Sequence, residues 1–200
     1  MSALDDFLAT TGDEVRGILS TLDREALQNA AALIWEAEKR GGRVHITGIG
    51  KPAHVASYLA SLMSSTGTPT YFLHGTEAVH GSCGQLVPGD VVICISNSGE
   101  TQELKATAEA VRNNGCKIVA VTGNRSSWLY RFADAGIPAG VTREGGPLGR
   151  APRASILVET IALQALSVLL QEKRGLTPRE YVARHPGGAL GKLREDEKTG

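Results

Sequence analysis

The sequence predicts an α/β fold: a three-layer α-β-α sandwich around a five-stranded parallel sheet, with a helical segment in front of it. Three observations lead there. Short apolar runs alternate with longer amphipathic stretches from Val44 onward, as in repeated strand–helix units. The run Val91-Val92-Ile93-Cys94-Ile95 is continuously apolar, the pattern of a strand buried on both faces. Many of the 24 glycines fall where such runs end and turns belong.

The elements follow in order. Leu4, Phe7 and Leu8, then Val15, Ile18, Leu19 and Leu22, recur at helical spacing, and Leu27, Ala30, Ala31, Ile34 and Ala37 mark one face of a second helix. Lys39-Arg40-Gly41-Gly42 is a helix stop. These make residues 1–41 an N-terminal helical segment and 42–193 the α/β core of a single domain. Val44–Thr47 is the first strand, closed by Gly48-Ile49-Gly50, and a helix follows from about Pro52 to Ser64. Thr70–Leu73 and Asp90–Ile95 are the second and third strands, Glu103–Arg112 a helix and Lys117–Thr122 the fourth strand. Ala135–Ala139 is a weaker fifth strand. A long apolar helix covers Ile156 to Lys173, and a short one starts after Thr177-Pro178. Residues 194–200 read as a flexible polar tail.

Composition narrows the function. A formal net charge of +0 argues against nucleic acid or an anionic membrane as the main partner. The stretch Ile156–Leu170 is interrupted by Glu159, Thr160 and Gln164 and is shorter than the ~20 residues a membrane span needs, so it reads as a buried helix. No basic, apolar leader opens the chain, and Cys83, Cys94 and Cys116 show no paired spacing; a reducing, cytoplasmic setting is expected.

Ligands of parallel sheets bind beyond the carboxyl ends of the strands. That rule puts Gly48–Lys51 and Ser96–Thr101 on one rim. Ser96, Asn97, Ser98 and Thr101, with Gly99 between them, open a helix, where free amides and hydroxyls make a phosphate cradle. A helix cap would use only one of these groups. The turn at Gly50 aims Lys51 across the rim. It also matches the dinucleotide pattern G-x-G-x-x-A, but no acid follows the second strand to hold a ribose. His80 and Cys83 have a metal-like spacing that no second pair completes, so no metal is expected. His185 sits on a loop built from Pro186, Gly187 and Gly188, whose backbone path is specific.

Gly48-Ile49-Gly50-Lys51, Gly75-Thr76-Glu77-Ala78-Val79-His80-Gly81, Ser96-Asn97-Ser98-Gly99-Glu100-Thr101, Pro147-Leu148-Gly149 and His185-Pro186-Gly187-Gly188-Ala189-Leu190-Gly191 together closely resemble the arabinose-5-phosphate isomerase family, in order, from about Asp23 to Leu193. The resemblance implies a sugar isomerase (SIS) domain of flavodoxin-like topology. Family members often continue into a paired regulatory (CBS) module, and the chain resembles the stand-alone isomerase domain. By the resemblance, Lys51, Glu100, Glu144 and His185 are the catalytic candidates, with His80 a further active-site histidine. Ser96, Asn97, Ser98, Thr101 and Gly50 hold the substrate phosphate. A homotetramer is implied, with active sites at subunit interfaces and the C-terminal histidine reaching a neighbour's pocket.

The residue types suit the chemistry. Aldose–ketose conversion moves a proton between C1 and C2 through a cis-enediol, needing neither metal nor organic cofactor. Glu144 is the expected base and acid, with its pKa raised in a partly dry pocket. His185 suits ring opening, Lys51 the enediolate charge, and Glu100 either orients Lys51 or shares the proton work. Three departures from the family pattern stand out: Pro52-Ala53 for Ser-Gly, Ser82 for an aspartate, and Arg150 and Arg153 before the long helix, two candidate substrate contacts. D-arabinose 5-phosphate and D-ribulose 5-phosphate lead as substrates. A non-catalytic sugar-phosphate regulator and a phosphosugar lyase or deglycase are the alternatives.

Overall fold

The computed structural model describes residues 2–198; Thr199 and Gly200, the end of the expected tail, lie outside the described residues. Five parallel strands, β1 (Val44–Gly48), β2 (Thr70–Phe72), β3 (Val91–Ile95), β4 (Lys117–Thr122) and β5 (Ala135–Pro138), form one sheet in the order β2-β1-β3-β4-β5. This is the flavodoxin-like order that the resemblance implied. The helices are α1 (Ala3–Thr21), α2 (Arg24–Lys39), α3 (Lys51–Ser65), α4 (Gly75–Ala78), α5 (Gln102–Asn113), α6 (Trp128–Phe132), α7 (Ala154–Arg174) and α8 (Pro178–Ala183). α4 and α6 were not expected; five residues or fewer show no helical period. The tail carries a 3₁₀ turn at Glu195–Glu197.

Local chemistry starts and stops these elements. Ser2 and Asp5 form a reciprocal capping box for α1, and Asp23 caps α2. α7 ends at Gly175, whose φ of 62° is the left-handed conformation that closes helices, after the cations Lys173 and Arg174. Alternating sheet residues then fill two cores. Val44, Ile46, Val91, Ile93, Ile95, Val119 and Val121 meet α2, α3 and α7 on one face. Val92, Cys94, Ile118 and Ala120 meet Leu104, Ala108 and Val111 of α5 and Leu129 of α6 on the other. The three cysteines are free and buried. α7 is long and apolar enough to cross a bilayer, yet it packs against α1, α2 and α3 inside the domain.

Beneath the amino-terminal strand ends lies a buried ionic network. Asp90, fully buried, accepts hydrogen bonds from the amides of Val87 (2.9 Å) and Arg43 (2.8 Å), from the Arg43 guanidinium (3.1 Å) and from His45 Nε2 (3.0 Å). Burial alone would raise the pKa of Asp90; these four donors outweigh it and hold the carboxyl below the usual carboxylate range. Burial pulls the His45 pKa down, partly offset by Asp90, so the ring is neutral at pH 7 and Gln85 Nε2 approaches its Nδ1 at 3.2 Å. His45 is thus the packing residue its place in a strand suggested.

A depressed carboxylate pKa stabilises the fold above the unfolded value, near 4, and that contribution is lost as pH falls through the folded pKa. Asp90→Ala, leaving buried donors unpaired, is expected to lower stability by about 3 kcal/mol at pH 7. Urea unfolding at pH 7 and pH 3 checks this. The variant should differ less from the wild type at the lower pH.

Candidate active site

The chain leaves β1 toward β2 on one side and returns to β3 on the other, so the connections after β1 and β3 diverge. Gly48 and Ile95 stand opposite each other where they part, and a crevice opens beyond them. The loop after β3 forms one wall. Gly99 has φ +66°, and a Cβ built there would collide with Ser127 Oγ, so only glycine fits. Ser96 Oγ accepts from the Gly99 amide (3.1 Å) and lies 3.2 Å from Thr101 Oγ1; Ser98 Oγ accepts from the Glu100 amide (3.2 Å). Thr101 is the N-cap of α5 but its side chain makes no capping bond. Gly50 opens α3 with no side chain to cap it. The N-termini of α3 and α5 thus meet the crevice rim without a side-chain cap, a setting that attracts anions at α5, while at α3 Pro52 has no N–H and the Ala53 amide bonds the Gly50 carbonyl (3.1 Å).

The crevice holds a cavity of about 270 Å³. Ile49 and Pro52 line it from the β1 side, and Ser96, Asn97, Ser98 and Thr101 from the β3 loop. Glu144, Arg150 and Pro152 come from the loop before α7; Ser155 and Glu159 come from α7 itself. The cradle, one acid and one arginine expected from the sequence therefore meet in one cavity.

Glu144 is held firmly. Its Oε2 accepts from the amides of Arg153 (2.7 Å) and Ser155 (3.2 Å), so this carboxylate caps α7 in place of the N-cap residue Arg153. Its loop is tied to α1, because the Glu14 carboxylate accepts from the amides of Thr142 and Arg143, each at 3.0 Å. The N-terminal helix thereby positions a site residue from outside the sheet.

A second acid in the cavity was missed. Glu159 has no exposed surface, and neither carboxylate oxygen has a hydrogen-bond partner among the described residues. Burial pushes its pKa up to about 8, with the nearby Glu144 charge adding to the rise. A legible signal existed. Ser155, Val158, Glu159, Ala162 and Leu163 fall on one helical face, so Glu159 belongs to the buried stripe rather than interrupting it.

Other candidates sit elsewhere. Glu100 does not orient Lys51. Its carboxylate pairs with Lys105 Nζ (2.7 Å) and accepts from the Trp128 amide (2.7 Å), and the Lys105 bond leads in holding its pKa low. Lys51 is exposed at the first turn of α3, beside the cavity but outside its lining, and His80 is exposed after α4. Arg153 lends Glu144 its backbone amide while its guanidinium lies near Gly146. His185 is not brought to the cradle within one chain. α7 carries the chain to the opposite end of the sheet, where Arg174 bonds Thr68 and Arg184 lies beside Gly67. There the His185 ring stacks on Tyr181 at 4.1 Å and its Nδ1 lies 2.7 Å from the Tyr181 carbonyl oxygen. Among the described residues no cluster of three His, Cys, Asp or Glu side chains is placed to hold a metal.

The fold is a doubly wound α/β domain with a cavity lined by Ser96, Asn97, Ser98 and Thr101 at its topological switch point. The SIS domain family model matches residues 37–169, and the chain belongs to that family. It is 40% identical over 151 residues to arabinose 5-phosphate isomerase KdsD of Pseudomonas aeruginosa, covering 76% of this chain and 46% of that protein. It is 37% identical over 177 residues to KdsD of Escherichia coli K12, covering 88% and 54%. The chain thus spans about half the length of the curated relatives it matches. The structure of E. coli CFT073 c3406 in complex with arabinose 5-phosphate superimposes with a TM-score of 0.82 at 34% identity, covering 92% of this chain and 95% of that one.

Gly99→Ala is expected to destabilise the domain by about 3 kcal/mol, from left-handed backbone strain and the Ser127 clash. It should also abolish the thermal shift given by a phosphate monoester. Denaturant unfolding and thermal-shift titration read the two effects.

Proposed function

We propose that this domain interconverts the aldose and ketose forms of a phosphorylated sugar through a cis-enediol, with D-arabinose 5-phosphate and D-ribulose 5-phosphate as the leading pair. One observation carries the reading: Glu144 and the Ser96–Thr101 cradle share a cavity of about 270 Å³. A phosphate on the cradle anchors the far end of the sugar and leaves its C1–C2 end toward Glu144. The KdsD relatives and the c3406 complex with arabinose 5-phosphate support the substrate class.

In the aldose-to-ketose direction Glu144 removes the C2 proton and returns it to C1. The two amide bonds on its Oε2 fix its orientation and leave the other oxygen free for the sugar. Arg150, on the cavity wall, adds positive charge for the phosphate. A purely regulatory binder would need the cradle alone, and Glu144 beside it favours catalysis. Free, buried thiols suit a cytoplasmic enzyme.

The reading includes a homotetramer in which a neighbouring subunit supplies His185 for ring opening. Exposed Leu4, Leu8 and Leu19 on α1 and Val168 on α7 support an apolar subunit interface.

In heavy water, the wild type is expected to exchange deuterium into the carbon next to the carbonyl of ribulose 5-phosphate. Glu144→Gln should lower this exchange by about 10²–10⁴-fold while sugar-phosphate binding persists. Equal exchange in the variant removes Glu144 from the mechanism. Co-refolding Glu144→Gln with His185→Ala chains should restore about a quarter of wild-type activity, because shared sites then regain both groups. No restoration refutes the shared site.

A further inference from the structure

We propose that Glu159 is a second catalytic residue of this cavity: its carboxyl group hydrogen-bonds O1 and O2 of the bound sugar and relays a proton between them. This rests on the isomerase reading above.

Buried polar side chains in folded proteins are almost always partnered, and those that are not need a reason. Glu159 lies wholly inside the protein with both oxygens unpartnered among the described residues, and it lines the cavity that holds the cradle. Its neighbours on the helix face, Val158, Ala162 and Leu163, are apolar and buried, so a leucine would suit the packing better. A ligand entering the cavity is the partner the carboxyl lacks.

Two carboxyl groups share one cavity in contrasting surroundings, a pattern that divides acid from base. Glu144 accepts two amide hydrogen bonds at a helix N-terminus, whereas Glu159 receives none among the described residues. Pro52 of α3 and Ser96, Asn97, Ser98 and Thr101 of the β3–α5 loop line the cavity with uncharged side chains; the charged groups lining it besides Glu159 are Glu144 and Arg150, with Lys51 and Glu100 next to lining residues in the chain. Burial and the Glu144 charge raise its pKa to about 8, so at neutral pH it is a hydrogen-bond donor. Lys51, the expected partner of the enediolate oxygen, stands outside the lining, whereas Glu159 lines the cavity.

The steps balance. Glu144 takes the C2 proton, the C–H pair becomes the C1=C2 bond, and the C1=O π pair moves onto O1, which takes the Glu159 proton. The resulting Glu159 carboxylate then takes the proton from the O2 hydroxyl, and that O–H pair forms C2=O. The C1=C2 pair recovers the Glu144 proton at C1, giving the ketose with both acids restored.

The test compares Glu159→Leu and Glu159→Gln with the wild type under saturating ribulose 5-phosphate, with thermal unfolding on each. Glu159→Leu is expected to lower kcat by about 10²–10³-fold with KM little changed, while its Tm rises. Glu159→Gln, which still donates but cannot relay, should fall between. The wild-type kcat/KM should decline above about pH 8, and that limb should be missing from Glu159→Gln. A kcat within about threefold of wild type in Glu159→Leu, or an alkaline limb unmoved in Glu159→Gln, overturns the proposal. A wild type that exchanges no deuterium into any pentose or hexose phosphate defeats the isomerase reading itself.

Discussion

The site depends on one topological constraint, the parallel pairing of β1 with β3 while β2 lies on the other side of β1. Crossovers between parallel strands are right-handed, so the connection out to β2 and the return to β3 load helices onto opposite faces of the sheet. The two loops diverge at Gly48 and Ile95 and leave a crevice between them. Everything chemical then gathers at that gap. Two helices, opening at Gly50 and Thr101 without side-chain caps, begin on either side of it. α7 adds a third N-terminus, already taken by Glu144. The placement of the Glu144 acid therefore comes from backbone geometry.

The two ends of the sheet treat a buried acid in opposite ways. At the amino-terminal end Asp90 has four donors around it, and the network ties Arg43, His45 and Val87 to one carboxylate. At the carboxyl end Glu159 has none among the described residues. The first arrangement stabilises the fold and holds the pKa down; the second destabilises it and drives the pKa up. Folds tolerate such strain in polar satisfaction at functional sites, where a ligand completes what the protein leaves open. Glu14 serves the same end from outside the cavity. Its carboxylate accepts from the amides of Thr142 and Arg143 and fixes the loop that carries Glu144.

Much of this was legible in the sequence. The strands showed themselves because a sheet covered on both faces needs continuous apolar runs, and Val91–Ile95 and Ile118–Val121 are such runs. The cradle showed itself because Ser96, Asn97, Ser98 and Thr101 exceed what one helix cap can use. Short α4 and α6 gave no periodic signal. Glu159 was read as a break in an apolar helix because a one-dimensional hydropathy reading counts charges without asking which face they occupy. Glu100 was expected either to orient Lys51 or to share the proton work, and only the fold shows that Lys105, one helical turn into α5, is the cation it pairs with.

His185 marks the limit of a single chain. α7 has 21 residues, which at about 1.5 Å per residue is about 30 Å, and it runs from the cavity to the far end of the sheet. Arg174, the last residue of α7, bonds Thr68, and Arg184 in the segment after it lies beside Gly67, at the wrong end for the cradle. Loop flexibility between Gly175 and His185 cannot recover that distance while α8 stays folded, since its Thr177–Glu180 capping box fixes the path. Thus if His185 works on a sugar held at Ser98, the cavity must belong to another copy. The geometry makes assembly a condition of that chemistry, while Glu144 and Glu159 need only their own chain.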